Sequence, residues 1–221
     1  MALNIRGHRI ALYPIFMKLE GRRCVVVGGG AVAARKVQSL VESGAEVRVV
    51  SPEICEELRQ RAAEGEIEVV PREFAHDDLR GAALAIAATN HRAVNEAVLA
   101  AGRERGVLVN VVDVPDLCDF YVPSRLDRGN FQIAICTAGA FPALAKKTRL
   151  ALTQQFGPEY ADYMDFLQRF RQEAKVRVSD PYVRAQKEEA FLSAPILDLL
   201  VQGKRDEAEE ILNAWIGELS S

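Results

Sequence analysis

Residues 25–36 read VVVGGGAVAARK: a β-branched run, three consecutive glycines, then a small and basic stretch suited to a helix. One glycine suffices for a turn. Three at a junction between strand and helix imply that a ligand approaches the backbone more closely than side chains would allow. Gly28, Gly30 and Ala33 fit the spacing G-x-G-x-x-G/A. In that pattern the first glycine permits the tight turn, the second admits a pyrophosphate against the backbone, and the small third residue lets helix and strand pack. The free N–H groups at the helix start, with its dipole, favour the phosphate charge. The competing reading is a glycine-rich turn that binds nothing.

The surrounding pattern supports the ligand-binding version. RCVVVGG reads as a strand, GAVAARKVQSLVESG as a helix stopped at Gly44, and AEVRVVSP as a second strand ended by Pro52. EICEELRQRAAEG is a helix stopped at Gly65, and IEVVPREF a third strand. ALAIAAT, which has no polar alternation, reads as a strand buried on both faces. HRAVNEAVLAAGRERG is a helix and VLVNVVD a fifth strand. Strand and helix in strict turn predict right-handed βαβ units and a doubly wound parallel sheet, the Rossmann arrangement, over residues 1–113.

After residue 113 the pattern changes. VPDLCDFYVPSRLDRGN is turn-rich, FQIAICTAG reads as a strand, and FPALAKKTRLALTQQFG as a helix with Pro142 in its first turn. A small α/β segment over 114–150, with one strand and no partner sheet of its own, suggests pairing across a two-fold axis. From about residue 158 the chain reads as helices only, which gives a helical subdomain over 151–221. Its stripe of Tyr160, Tyr163, Phe166, Leu167 and Phe170, and the later Ile211, Leu212, Trp215 and Ile216, are expected to be packing surfaces.

A net charge of −3 argues against a general nucleic-acid or acidic-membrane binder. No run approaches the ~18 apolar residues of a membrane span, and MALNIRGHRIALYPIF lacks the layout of a secretory leader, so the cytoplasm is the expected location. Cys24, Cys55, Cys118 and Cys136 contain no C-x-x-C pair and are expected as thiols. Cys24 and Cys136 lie in apolar runs and are expected in the core. His8, His76 and His91 have no ligand spacing, so no protein metal site is expected.

In a doubly wound sheet, ligands lie beyond the carboxyl ends of the strands. The second strand ends VVSPE, so Ser51 or Glu53, flanking Pro52, is placed to hold an adenine ribose. No arginine follows that tip until Arg59, so no clamp for a 2′-phosphate is visible and NAD is favoured over NADP. Thr89 and Asn90 end the fourth strand, where they either cap the next helix or border the nicotinamide. Asp113 ends the fifth strand before Val114 and Pro115, which makes it a poor helix cap. It is the candidate general acid/base, with an Asx-turn as the alternative.

Taken in order, YPIFMKLEGRRCVVVGGGAVAARKVQSLVESGAEVRVVSPE, LAIAATN, NVVDVPDLCDFYVPS and AICTAGAFPALAKKTR resemble the precorrin-2 dehydrogenase family of sirohaem synthesis. The likeness is to the free-standing type related to the N-terminal part of sirohaem synthase, and it covers roughly residues 12–150. It implies oxidation of precorrin-2 to sirohydrochlorin with NAD as hydride acceptor, and in some members insertion of ferrous iron as a second substrate. It also implies a homodimer. Asp113 matches the family's catalytic aspartate, and Ala31-Val32 and Pro52-Glu53 match cofactor-contacting positions. Thr137 falls where SSGG-like members commonly carry serine; here the motif is CTAG. A polycarboxylate tetrapyrrole needs cations, and Arg125, Arg128, Lys146, Lys147 and Arg149 follow Asp113. For any one of these, an ordinary solvated charge face is an equal alternative. A module that senses NAD(H) without catalysis would share the glycine fingerprint, but has no need of the strand-end acid or the basic segment.

Overall fold

The computed structural model describes residues 11–220; His8 and the first ten residues of the stretch read for a leader lie outside it. The chain divides into two compact units, one ending at Val122 and the other beginning at Pro123.

The first unit follows the predicted alternation. β1 (Arg23–Val27), α1 (Ala31–Val41), β2 (Glu46–Val50), α2 (Glu56–Ala63), β3 (Ile67–Val70), β4 (Leu84–Ala87), α3 (Arg92–Arg105) and β5 (Leu108–Val111) occur in that order. All strand pairs are parallel, in the spatial order β3-β2-β1-β4-β5. This is the doubly wound sheet expected from the sequence.

Its two faces are covered by different helices. Cys24, Val26, Val47, Val49, Leu84 and Ile86 meet Ala33, Ala34, Val37 and Leu40 of α1. The alternate residues Val25, Val27, Ala85 and Ala87 meet Val98, Leu99 and Ala101 of α3. β4 is buried at every position, as its unalternating LAIA requires. Gly44 and Gly65, at positive φ, follow α1 and α2 where the sequence placed their stops, and Gly106, also at positive φ, caps α3. Cys24 is fully buried, as expected.

The loop 114–122 stays with this unit because its polar side chains lock it to β5. The Val109 amide donates to the Asp119 carboxylate at 2.9 Å, and the Asp119 amide donates to the Val109 carbonyl at 2.8 Å. The buried Asn110 donates its side-chain N–H to the Phe120 carbonyl at 2.8 Å.

The second unit contains β6 (Ser124–Arg128), β7 (Phe131–Ile135), α4 (Pro142–Gln155), α5 (Glu159–Arg177), α6 (Pro181–Phe191), α7 (Ile196–Val201) and α8 (Arg205–Gly217). β6 corrects the sequence reading, which gave this region only one strand. It pairs antiparallel with β7 through a turn at Gly129. SRLDR escapes a hydrophobic reading because only Leu126 of the five is buried. The aromatic stripe is packing, as expected: Phe166 and Phe170 are buried with Phe191, Ile196 and Leu212, against Tyr163, Leu167, Trp215 and Ile216. Tyr160 instead stacks on Phe131 of the hairpin, with ring centroids 5.4 Å apart. Cys136 is a second correction. It is exposed, because β7 ends at Ile135 and the chain turns there, with the Ala138 amide donating to its sulfur at 3.3 Å.

Candidate active site

The carboxyl ends of β1, β2 and β4 converge on the glycine turn. The Gly28 amide donates to the Val50 carbonyl at 3.0 Å, and the Cys55 amide donates to the Gly29 carbonyl at 2.7 Å. Gly28 has φ of +120°, and a Cβ there would stand 2.4 Å from the Ala88 carbonyl oxygen. At Gly29 a Cβ would stand 2.0 Å from the Glu53 carbonyl oxygen. These two glycines are required by the protein's own backbone. Gly30 differs: nothing lies within 4 Å of the position its Cβ would take.

Gly30 is also the N-cap of α1 and, lacking a side chain, leaves the first amides of the helix without a side-chain acceptor. Ala31 and Val32 follow it at the rim, while Ala33 is buried against the sheet. An open backbone surface with unsatisfied donors and no acid in the first turn fits a pyrophosphate.

Beyond β2, the Ser51 hydroxyl donates to the Glu53 carbonyl at 2.7 Å. Its proton therefore shapes the loop, and Ser51 is itself buried. Pro52 and Glu53 are exposed, which leaves the Glu53 carboxylate as the stronger candidate to accept hydrogen bonds from a ribose diol. Beyond β4, the Thr89 hydroxyl donates to Asn95 Oδ1 at 2.8 Å and accepts from the His91 amide at 3.1 Å. The buried Asn95 returns a bond to the Thr89 carbonyl at 3.0 Å. Thr89 thus organises the start of α3, the capping alternative raised above, while Asn90 beside it is exposed.

Asp113 stands just past β5, where the Val112 amide still donates to the Ala87 carbonyl at 3.0 Å. Its backbone has φ of +62°, one of two non-glycine residues in the left-handed region among those described. Aspartate tolerates that region better than most residues, and such strain concentrates at functional positions. The carboxylate is exposed and, among the described residues, has no hydrogen-bond partner; the following short helical turn is capped by Val114. It is therefore neither a helix cap nor committed to an Asx-turn.

One neighbour of Asp113 carried no sequence signal. Lys36, in the second turn of α1, is half-buried, and burial pushes its ammonium pKa down, as does the adjacent Arg35. Asp113 and Cys118 act in the opposite direction. Burial raises the pKa of the Cys118 thiol, which bonds the Val111 carbonyl at 3.1 Å.

The remaining candidates belong to the second unit. Arg128 places Nε 3.0 and 2.8 Å from the Phe156 and Gly157 carbonyls, so it caps the end of α4. Arg125 lies on β6 opposite Ala134. Lys146 and Lys147 are exposed on α4, with Arg149 half-buried on the same helix. Thr137 is half-buried in the turn before α4, its carbonyl accepting from the Ala140 amide at 2.9 Å, and the next residue, Ala138, has φ of +53°. Among the described residues no group of three or more His, Cys, Asp or Glu gathers as metal donors, and no helix is long and apolar enough to cross a membrane.

Comparison with known proteins finds relatives of the same fold. A family described as putative NAD(P)-binding matches residues 15–124. Siroheme synthase of Thioalkalivibrio sulfidiphilus is 39% identical over 200 residues, covering 90% of this chain and 41% of the relative. Siroheme synthase of Chromobacterium violaceum is 39% identical over 196 residues, covering 89% and 41%. The chain thus spans about two-fifths of the length of the curated relatives it matches. Among solved structures, the precorrin-2 dehydrogenase SirC superposes with a TM-score of 0.74 at 26% identity, covering 92% of this chain and all of that one.

Proposed function

The chain belongs to the precorrin-2 dehydrogenase and siroheme synthase family, and from that premise we propose that it oxidises precorrin-2 to sirohydrochlorin with NAD. The observation that carries the reading is the unpartnered Asp113 carboxylate at the end of β5, in the same row of strand ends as the open Gly30 turn.

The α1 amides after Gly30 would hold the pyrophosphate, and Glu53 the adenine ribose. Asn90, with Thr89 setting the loop, would border the nicotinamide. NAD, when bound, supplies the hydride acceptor. Glu53 favours NAD over NADP, since its charge would repel a 2′-phosphate. Asp113 then takes the proton that leaves the substrate as the hydride departs. It stands exposed just past β5, with its backbone in the left-handed region. Proton transfer by a positioned group is typically worth roughly 10²–10⁴ in rate.

The polycarboxylate substrate would draw on Arg125, Lys146, Lys147 and Arg149, with Thr137 replacing the family serine at the turn. Arg128 supports α4 and contributes at most its remaining N–H donors. We assign residues 114–150 to dimerisation and substrate binding, followed by the helical subdomain 151–221. A two-stranded hairpin is marginal alone, and Phe141, Leu144 and Leu150 near and along α4 are half or more exposed. A second copy covering the hairpin edge and these residues gives a homodimer. The cytoplasm, where the thiols stay reduced, suits such an enzyme. Insertion of ferrous iron would use Asp113 again, as acceptor for the pyrrole protons.

The test is direct: purified protein with precorrin-2 and NAD should give the sirohydrochlorin spectrum. NAD binding without turnover would favour a non-catalytic sensing module instead.

A further inference from the structure

Lys36 is a half-buried ammonium to which the dehydrogenase reading gives no task. It emerges from α1 six residues after Gly30, and helical side chains lean toward the N-terminus of their helix. That directs it toward the end of the sheet where Gly30 and Asp113 lie. Its surroundings are built rather than incidental. The loop from Asp113 to Cys118 is held down by the Cys118 sulfur, which meets the Val111 and Val114 carbonyls at 3.1 and 3.3 Å. Val112 and Phe120 pack against the cluster that α1 forms with the sheet. Burying an ammonium costs free energy that a close anion normally offsets. Here Asp113 is near enough to act on Lys36 electrostatically, yet among the described residues Lys36 forms no ion pair and no hydrogen bond. The half-buried ammonium is therefore left without an anion bonded to it among the described residues.

We propose that Lys36 anchors a carboxylate of the bound substrate, beside the carbon skeleton that Asp113 deprotonates. The idea rests on the dehydrogenase reading and deepens it by naming a binding residue on the nucleotide-binding helix itself. Three ammonium donors suit a flexible acetate or propionate arm, and such charge-assisted bonds are the strong ones. Holding one arm there fixes the ring over the strand ends, while Asp113, being of like charge, is left to the departing proton. The other charged group beside Lys36 is Arg35, exposed on the preceding position. It would add to the attraction for an acid.

The experiment compares Lys36→Met and Lys36→Arg with the wild type. Lys36→Met should raise the KM for precorrin-2 about tenfold or more, change kcat less than about threefold, and leave the Kd for NAD unaltered. Lys36→Arg should recover most of the KM. An unaltered KM in Lys36→Met overturns the proposal, and so does a fall in kcat at constant KM, which would place Lys36 in the service of Asp113 alone. Unaltered NAD affinity shows that the unit is folded. If the wild type fails to turn over precorrin-2, the dehydrogenase reading falls, and the anchor is then judged by fluorescence titration with sirohydrochlorin. Weaker binding by Lys36→Met than by wild type supports the anchor; equal binding, or none by either, overturns it.

Discussion

Gly29 carries the Glu53 loop directly on its α-carbon, so close that a Cβ would stand 2.0 Å from the Glu53 carbonyl oxygen. Gly30, one residue on, faces open space. Adjacent glycines therefore do different work, and substitution separates them. Gly29→Ala should lower stability by about 1–3 kcal/mol, as overpacking does, and displace the ribose side of the site. Gly30→Val should keep the melting temperature within a few degrees and abolish NAD binding. Thermal melts paired with calorimetry check both, and retained NAD affinity in Gly30→Val would remove the pyrophosphate from this turn.

Asp113 invites a variant matched to its backbone. At φ of +62° alanine is strained by roughly 1–2 kcal/mol, whereas asparagine accepts the conformation. Asp113→Asn should therefore keep stability and NAD affinity while cutting dehydrogenase turnover at least ~100-fold. If the protein also inserts ferrous iron, insertion into supplied sirohydrochlorin should fall in the same variant. Wild-type turnover in Asp113→Asn would take the carboxylate out of the reaction.

Acid should find one weak point outside the active site. Burial pushes the Asp78 carboxyl pKa up, but the Arg72 guanidinium at 2.6 Å and the Ala75 amide at 2.7 Å outweigh it and hold the pKa below the usual range. A carboxyl depressed in the folded state stabilises above its unfolded pKa of about 3.9 and loses that contribution as pH falls through the folded value. Melting temperature should drop below about pH 4, and Asp78→Asn should flatten that part of the decline. The same variant should cost about 1–3 kcal/mol at neutral pH.

Thiol chemistry separates the cysteines. Burial pushes the Cys24 thiol up to about 11 against the pull of the Arg22 charge, while Cys136 is exposed. An alkylating reagent should label Cys136 first in the native protein and Cys24 only after unfolding, as read by peptide mass spectrometry.

The proposed homodimer is checked by light scattering at micromolar concentration. Twice the chain mass is expected, and charged substitutions at Phe141 and Leu144 should shift the protein toward monomer. A wild-type monomer would refute the assembly.

How much of this was legible in the sequence follows from how local each signal is. β1 to β5 could be read because each is a short, mostly apolar run set between helical stretches, and β4, buried at every position, is apolar throughout. β6 could not, since SRLDR buries only Leu126 and owes its shape to pairing with β7. Cys136 follows an apolar strand but sits in the turn beyond it, where periodicity stops being informative. At the site, the glycines, Glu53 and Asp113 lie at strand ends that a pattern locates. Lys36 does not, because the groups that act on it, Asp113 and Cys118, lie more than seventy-five residues later in the chain, on a loop tied to β5 by Asn110 and Asp119. Arg128 shows the reverse case: its charge was visible, but its use in capping α4 depended on Phe156 and Gly157, brought near by the fold.

The most direct test follows precorrin-2 and NAD with the purified protein under anaerobic conditions, recording NADH and sirohydrochlorin together. One NADH for each sirohydrochlorin is expected, with no product when NAD is withheld and at least ~100-fold slower formation of both in Asp113→Asn. NAD bound tightly with no NADH formed, or sirohydrochlorin formed at the same rate by Asp113→Asn, would contradict the dehydrogenase reading.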